Sequence, residues 1–398
     1  MRDVLDELER WWRAGEPAGL ATVVGTWNSA PRSAGATMAV GPDGTVTGSV
    51  SGGCVEGAVY ELAREVAHSG VPTLRRYGVS DDDAFAVGLT CGGTLDVYVE
   101  RVDTVAFPEF GAVAAAIRAG RPTAVATCVA VHGADPARRL GRRLVVWSDR
   151  TAGSLGDDRL DAAATDDVRG LLAVGRTGVL RYGYDGQRRG DRLHLFVATY
   201  AAPPRMIVFG AIDFAAAVAR IGVFLGYRVT VCDARPVFTT ARRFPEAHEV
   251  VVDWPHRYLR SEAEAGRLDG RTVVCVLTHE PRFDVPVLEV ALRLPLAYVG
   301  AMGSRRTHRD RLDRLRAAGL TDAELARLSS PLGLDLGART PEETAVSIAA
   351  EIVARRWGGT GDRLSVLDGR IHHDTADGDG AVGPSVPAAP VGPLPSPR

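Results

Sequence analysis

The chain has 398 residues, of which 45% are hydrophobic and 24% are charged, and its formal net charge is −2. This composition is typical of a globular protein long enough to form two or three domains. The near-neutral charge gives no electrostatic reason to expect a nucleic acid or an anionic membrane as a partner. All 47 basic residues are arginine, which excludes mechanisms that use a lysine Schiff base.

The cysteines and the N-terminus indicate the cellular location of the protein. The five cysteines are an odd number and include no CxxC pair, which argues against a disulfide framework and a structural zinc site. The N-terminus has no apolar signal core, and no run of about eighteen apolar residues occurs. We therefore predict a cytoplasmic protein that does not cross a membrane.

The first two hundred residues contain an internal repeat. The pattern Arg-Ala-Gly-x-Pro occurs at 13–17 and again at 118–122, a shift of 105 residues. The same shift aligns Gly48-Ser49 with Gly153-Ser154, and Arg76-Tyr77-Gly78 with Arg181-Tyr182-Gly183. Such a constant register predicts one α+β domain at 1–202, built from two pseudo-repeats at about 1–100 and 107–200.

Each copy predicts the same series of elements. A helix ends at Arg-Ala-Gly, two strands follow, a second helix comes after Gly-Ser, and two further strands complete the copy. The first strand of each copy is predicted at 20–24 and 125–131, and the closing strand at 94–99 and 193–198.

The two copies differ in their loops. The first copy has Ser51-Gly52-Gly53-Cys54 where the second has Gly156-Asp157-Asp158-Arg159. The first copy alone continues into a second glycine loop, GLTCGG at 88–93, which contains Cys91. Copies that share a scaffold but differ in two cysteine-bearing loops indicate that these loops carry the activity. We predict that Cys54 and Cys91 face one cleft.

Cys54 has two interpretations. A thiol that follows Gly52-Gly53, where a strand turns into a helix, is predicted to lie among free backbone N–H groups and at the positive end of the helix dipole. Such a thiol ionises easily and approaches a ligand closely. The alternative is that the glycines only turn the chain and that Cys54 is a small packed residue.

Residues 203–360 predict a second, doubly wound α/β domain. A strand at 206–209 ends at Gly210, an alanine-rich helix follows, and the next strand ends at Asp233, which together outline a Rossmann-like βαβ unit. Further strands are predicted at 250–252, 272–277 and 296–299. The remaining residues, 361–398, form a C-terminal extension that is predicted to be disordered from about 374.

Two loops of this domain are candidates for binding phosphate. After Gly210 the second glycine of the nucleotide fingerprint is Ile212, and Asp213 puts a negative charge where a phosphate would lie, which argues against a standard NAD(P) site. The loop Gly303-Ser304-Arg305-Arg306 starts a helix and offers two guanidinium groups, which suits an anion. The alternative is a glycine turn with solvated arginines.

Several motifs carry a resemblance to a known family. They are GSVSGGCVEG (48–57), GLTCGG (88–93), VCDARPVF (231–238) with RFPEA (243–247), YVGAMGSRRT (298–307) and GLDLGARTPEETAVSIAAE (333–351). In this order they closely resemble the XdhC/CoxI family of molybdenum-cofactor accessory proteins, over nearly all of 1–360. The resemblance implies an N-terminal XdhC/CoxI domain, a C-terminal Rossmann domain and a homodimer.

The resemblance also implies a function. Members of this family act as chaperones that bind molybdenum cofactor (molybdopterin), shield it while its terminal sulfido ligand is installed, and deliver it to a xanthine dehydrogenase or CO dehydrogenase type of molybdenum hydroxylase. A cysteine desulfurase is the expected sulfur source. On this basis we expect a maturation chaperone rather than a turnover enzyme.

The candidate residues suit such a cofactor. A Cys thiolate contacts soft molybdenum or relays sulfur, so Cys54 is the predicted metal ligand, and Cys54 and Cys91 are the predicted catalytic residues. The predicted cofactor-binding residues are Ser51, Gly52, Gly53, Cys54, Glu56, Cys91, Gly92, Gly93, Gly210, Asp233, Gly303, Ser304, Arg305 and Arg306. Two other functions stay open. One is an NAD(P)-dependent oxidoreductase that uses the Rossmann-like domain, and the other is a docking protein that recruits the desulfurase to the hydroxylase without holding cofactor.

Overall fold

The computed structural model describes residues 1–27, 32–78, 93–133 and 138–368. These residues form two antiparallel sheets of five strands each and one parallel sheet of six strands. The antiparallel sheets come from the two predicted repeats, and the parallel sheet comes from the predicted Rossmann-like region. The predicted fold class is therefore confirmed. The tail from 374 lies outside the described residues.

The first repeat, here called the first half, forms one sheet and two helices. Its elements are α1 (Leu5–Ala14), β1 (Ala18–Trp27), β2 (Thr37–Val40), β3 (Val46–Gly48), α2 (Glu56–Ser69), β4 (Thr73–Tyr77) and β5 (Thr94–Val102). The strand order is β3-β2-β1-β5-β4. Helix α2 covers one face of the sheet because Val59, Leu62 and Val66 lie on one side of the helix and are buried in that core.

The second half repeats this arrangement. Its elements are α3 (Phe110–Arg118), β6 (Thr123–Val131), β7 (Arg143–Trp147), β8 (Thr151–Gly153), α4 (Asp158–Val174), β9 (Gly178–Tyr182) and β10 (Leu193–Tyr200). The order β8-β7-β6-β10-β9 matches that of the first half strand for strand, which confirms the duplication. The three-residue strands β3 and β8 were not predicted, because strands so short give no periodic signal.

The two halves depend on each other for burial. Leu8 and Trp11 of α1 belong to one buried cluster with Phe110 and Val113 of α3, in addition to the core that each half forms under its second helix. Residues from both repeats therefore leave water together, and neither half buries all of its apolar surface alone.

The remaining elements form the Rossmann domain. Its strands are β11 (Arg205–Phe209), β12 (Arg228–Asp233), β13 (Glu249–Val252), β14 (Val273–Val276), β15 (Tyr298–Ala301) and β16 (Leu328–Ser329), and its helices are α5 (Asp213–Phe224), α6 (Pro255–Glu264), α7 (Pro281–Arg293), α8 (Arg305–Ala317), α9 (Asp322–Leu325) and α10 (Pro341–Trp357). Buried clusters cover both faces of the sheet, as a parallel sheet requires.

The strand order of this domain marks a binding crevice. The order is β13-β12-β11-β14-β15-β16, so the chain changes direction across the sheet between β11 and β14. Ligands of doubly wound sheets bind beyond the carboxyl ends of the strands at such a point. In this protein the loops after Phe209 and Val276 lie there. Within the described residues, no helix is both long and apolar enough to span a membrane.

Candidate functional site

The segment between β3 and α2, residues 49–55, is called the Cys54 loop below. Gly52 and Gly53 have φ angles of 78° and 125°, and side chains other than glycine rarely adopt this conformation. A Cβ atom at either position would meet open space, so glycine is required by the backbone and not by crowding. Cys54 is half-buried and packs at the edge of the first-half core, one residue ahead of the N-cap of α2.

The backbone N–H groups of the Cys54 loop are not free, which corrects the prediction. The loop wraps around the Glu56 carboxylate, which accepts three backbone hydrogen bonds of 2.8–2.9 Å. The three backbone donors are the N–H groups of Ser51, Gly52 and Gly53. The hydroxyls of Ser49 and Ser51 donate two further hydrogen bonds to the same carboxylate. A concave set of N–H groups is an anion site, and here the chain fills it with its own side chain.

The charge of Glu56 is held by this loop. Burial works against ionisation, but the hydrogen bonds from Ser51 and Ser49 outweigh it and lower the pKa of Glu56 to about 2. The Ser51 hydroxyl oxygen in turn accepts the N–H groups of Cys54 and Val55, at 3.0 and 3.1 Å. Glu56 therefore organises the loop, and its contact with a cofactor stays a prediction.

The second half has the same serine–carboxylate contact without the thiol. The residue 105 positions after Glu56 is Asp161, whose carboxylate accepts the Ser154 hydroxyl at 2.7 Å and the following backbone N–H at 2.7 Å. Asp157 caps α4 with its side chain, where the first half has glycine. The contact thus belongs to the shared scaffold, and the first half alone adds Gly52-Gly53-Cys54.

Cys54 is the most accessible cysteine within the described residues. Cys128, Cys232 and Cys275 are at most 2% exposed, and burial raises the pKa of Cys128 and of Cys275 to about 12. A buried thiol with so high a pKa neither ionises at neutral pH nor reaches a ligand. Cys54 is therefore the described thiol best placed for chemistry.

The second cysteine loop lies largely outside the described residues. Cys91 and Gly92 are not among the described residues, so the cleft shared by Cys54 and Cys91 stays a prediction. Gly93 is described, and it is buried just before β5. No group of three or more metal-binding side chains occurs in the part of the chain that is described. Cys54 as a metal ligand thus rests on a single protein donor.

In the Rossmann domain, Asp233 is already engaged at the turn after Gly210. Its carboxylate accepts the N–H of Ala211 at 2.8 Å and pairs with Arg235 at 2.7 Å. Burial opposes ionisation of Asp233, but the Arg235 hydrogen bonds and the Ala211 N–H lower its pKa. The acid that binds a ribose in dinucleotide-binding proteins here braces the loop.

Arg243 neutralises the acidic residue at the start of α5. Its guanidinium lies 3.1 Å from the Asp213 carboxylate and donates to the Ala211 carbonyl at 3.1 Å. The negative charge at this helix N-terminus therefore has a local counter-ion. The role of Arg243 was missed although it lies in the RFPEA motif, because sequence alone gives no pairing between residues thirty positions apart.

The Gly303 loop is built as a helix start with exposed cations. Gly303 has a φ of 153°, and the Ser304 hydroxyl oxygen accepts the N–H of Thr307 as the N-cap of α8. Arg305 and Arg306 are exposed and form no ion pair with any residue in the described ranges. Their guanidinium groups are therefore available to an anion.

A buried cluster that sequence reasoning missed lies beneath this loop. Arg311 is 3% exposed and donates to the Met302 carbonyl at 2.8 Å, to the Ser330 hydroxyl at 2.8 Å and to Asp284 at 3.1 Å. Burial raises the pKa of Asp284 despite the hydrogen bonds from Thr278 and Arg311. Arg311 joins α7, α8 and the loop after β15, and it fixes the loop that presents Arg305.

Two family models match this chain. The XdhC Rossmann domain model matches residues 206–352, and the XdhC and CoxI family model matches twice, at residues 11–78 and 116–183. The chain belongs to the XdhC and CoxI family. The two matches of the XdhC and CoxI model begin 105 residues apart, which is the register of the repeat found in the sequence.

Relatives of this XdhC/CoxI protein are similar over most of its length. A probable xanthine dehydrogenase subunit from Bacillus subtilis (strain 168) is 28% identical over 86% of this chain and 94% of its own. The molybdenum cofactor insertion chaperone PaoD of Escherichia coli (strain K12) is 26% identical over 86% of this chain and 85% of its own.

A solved structure shares the fold of this XdhC/CoxI protein. The crystal structure of a xanthine dehydrogenase from Bacillus halodurans aligns with a TM-score of 0.62, covers 91% of this chain and 97% of its own, and is 24% identical. At this level of identity the likeness concerns the fold alone.

Proposed function

We propose that this XdhC/CoxI protein is an accessory chaperone that binds molybdenum cofactor, supports its sulfuration and delivers it to a xanthine dehydrogenase or CO dehydrogenase type of molybdenum hydroxylase. The names of the Bacillus subtilis and Escherichia coli relatives support the general role. The single observation that carries it in this chain is the accessible Cys54 thiol, held in a glycine loop that the second half lacks.

The residues of the Cys54 loop fit one part of such a cofactor. A thiol is a soft donor, and thiolates suit a metal that is itself held by sulfur. The molybdenum centre, when bound, supplies the redox chemistry that the client enzyme needs. The backbone N–H groups of the loop are taken by Glu56 and Ser51, so the loop offers the thiol and no free anion site. Arg305 and Arg306 remain the proposed contacts of the cofactor phosphate.

The proposal is tested by cofactor retention. Purified protein is mixed anaerobically with free molybdenum cofactor, passed through a gel-filtration column and analysed for pterin fluorescence after oxidation. We expect wild-type protein to retain pterin and Cys54→Ala to retain it about tenfold more weakly, a loss of about 1.4 kcal/mol. Arg159→Ala, at the equivalent position of the second half, is the matched control and should retain as much as the wild type. No retention by the wild type, or equal retention by Cys54→Ala, contradicts the proposal.

The partners follow from the same proposal. We expect a cysteine desulfurase to supply sulfur, a molybdenum hydroxylase to receive the cofactor, and the chaperone itself to form a homodimer in the cytoplasm. Light scattering of the purified protein tests the dimer. Co-purification with each enzyme, with and without loaded cofactor, tests the partners. Capture of the hydroxylase by a protein that never retains pterin would instead favour a docking role.

A further inference from the structure

A cavity of about 430 Å³ lies where the two halves meet. Its lining includes Gly70 and Pro72, which follow α2 in the first half, and the start of β7 with Gly153-Ser154 in the second half. No residue of the Cys54 loop lines it. Its volume is in the range of small-molecule sites, roughly 300–1,000 Å³, so the space is large enough for a ligand of its own.

Four guanidinium groups line this cavity, and two of them are paired. Arg143 forms an ion pair with Glu100, and Arg101 forms one with Asp103. The Nε atom of Arg143 is buried with no hydrogen-bond partner among the described residues. These two pairs leave the wall of the cavity close to neutral.

The other two guanidinium groups give the cavity its positive charge. Arg138 and Arg142 are exposed at the rim, and the Nε of Arg142 donates to the Arg138 carbonyl at 2.9 Å, which keeps the two residues together. Neither forms an ion pair with a carboxylate in the described ranges. Glu109, at the N-cap of α3, lines the same space and adds one acceptor.

The duplication indicates that the scaffold does not require this charge. Arg143 pairs with Thr127 as Thr37 pairs with Thr22, so Arg143 is equivalent to Thr37 in the fold and Arg142 to Ala36. Glu100, which pairs with Leu20 across the sheet, corresponds to Ala198, which pairs with Val125. The same fold therefore forms with neutral residues at these positions, and the charged groups have been added on one side only.

We propose that this cavity binds a phosphorylated small molecule. Arg138 and Arg142 hold its phosphate, because guanidinium groups form paired, charge-assisted hydrogen bonds with phosphate oxygens. Glu109 accepts a hydrogen bond from a hydroxyl or N–H group elsewhere on the ligand. A sugar phosphate or nucleotide therefore suits the site better than a bare anion. This site is separate from the Cys54 loop and does not depend on the proposed chaperone function.

The test is calorimetric titration of the full chain without molybdenum cofactor. The probes are ribose 5-phosphate, inorganic phosphate and succinate. We expect saturable binding of ribose 5-phosphate, weaker binding of inorganic phosphate and none of succinate. Arg142→Thr and Arg138→Ala should each weaken binding roughly ten- to hundredfold, as expected for lost hydrogen bonds to a charged group. Arg169→Thr, an exposed site on α4, is the control of equal charge and should bind as the wild type.

The outcomes separate the proposal from general charge effects. Glu109→Gln should weaken the binding of ribose 5-phosphate more than that of inorganic phosphate, because only ribose 5-phosphate has hydroxyl groups on a sugar that extends from the phosphate to Glu109. No saturable binding, a preference for succinate, or an equal loss in Arg169→Thr would overturn the proposal. Circular dichroism of every variant shows whether a loss reflects unfolding. Because the titration uses no pterin, failure here leaves the chaperone proposal untouched.

Discussion

Glu56 is the residue that holds the Cys54 loop in its conformation. It gathers the N–H groups of Ser51, Gly52 and Gly53 and two serine hydroxyls around one charge. Glu56→Gln keeps the shape but replaces a charged acceptor with a neutral one. Because Glu56 is only partly buried, solvent screens part of the effect, and we expect urea unfolding to show a loss of about 1–2 kcal/mol.

The stabilisation that Glu56 provides depends on pH. The pKa of Glu56 lies at about 2 in the folded chain, below its ordinary value of 4.5. A lowered pKa stabilises the fold above the unfolded value, and this contribution is lost as the pH falls toward 2. The stability difference between wild type and Glu56→Gln should therefore be full at pH 7 and shrink between about pH 4.5 and 2. A difference that stays constant over this window would contradict the assignment.

At the scale of elements, the turn between β11 and α5 decides whether the Rossmann domain binds a dinucleotide. The strand order favours such a site, and an NAD(P)-dependent oxidoreductase is the alternative function. The turn itself opposes it, because the Ala211 N–H is taken by Asp233 and because Ile212 replaces the glycine that lets pyrophosphate approach. A sheet with the strand order of a dinucleotide-binding domain can thus lack the turn residues that bind the dinucleotide.

Titration with NADH, followed by its fluorescence, tests this turn. We expect no saturation, that is, a dissociation constant weaker than about 1 mM. The variant Asp233→Asn keeps the size of the side chain but removes the charge that braces the turn, and it serves as a comparison. Tight, saturable binding by the wild type would contradict the expectation and favour the oxidoreductase.

At the scale of the whole molecule, a buried ion pair connects the two halves. Glu100 of β5 and Arg143 of β7 pair with side chains only 8% and 10% exposed. Arg143 also donates to the Ala106 carbonyl at 2.7 Å and lies over the Phe107 ring, 4.5 Å from its centroid. The pair therefore links a strand of each half to the segment that joins them.

Removing one partner of the Glu100–Arg143 pair should lower the free energy of unfolding. Arg143→Met leaves the Glu100 carboxylate buried without a counter-charge, and we expect urea unfolding to show a loss of about 3–5 kcal/mol. The double variant Glu100→Ala/Arg143→Met removes both charges and places at position 100 the equivalent residue of the second half, Ala198, and most of the stability should return. A double variant as unstable as the single one would show that packing, and not the unpaired charge, sets the cost.

The sequence was a good guide wherever the signal was local or repeated. The shift of 105 residues predicted two equivalent sheets, which the structure shows with the same strand order. The glycines at 52 and 53 predicted a turn that no other residue adopts easily. The candidate site was only partly predictable, since the sequence located the half-buried Cys54 thiol but predicted that the N–H groups around it were free.

The sequence by itself determined the repeat, the order of the elements, the position of Cys54 at a helix start and the family of the chain. These features depend on the conformational preferences of short segments and on the periodicity of their hydrophobic residues, and both are determined by residues that are neighbours in the sequence. Only the tertiary structure decided that Glu56 fills the loop, that Arg243 reaches Asp213, and that arginines gather between the halves. Such pairings arise when packing brings distant elements together, and no local pattern encodes which charged groups then meet.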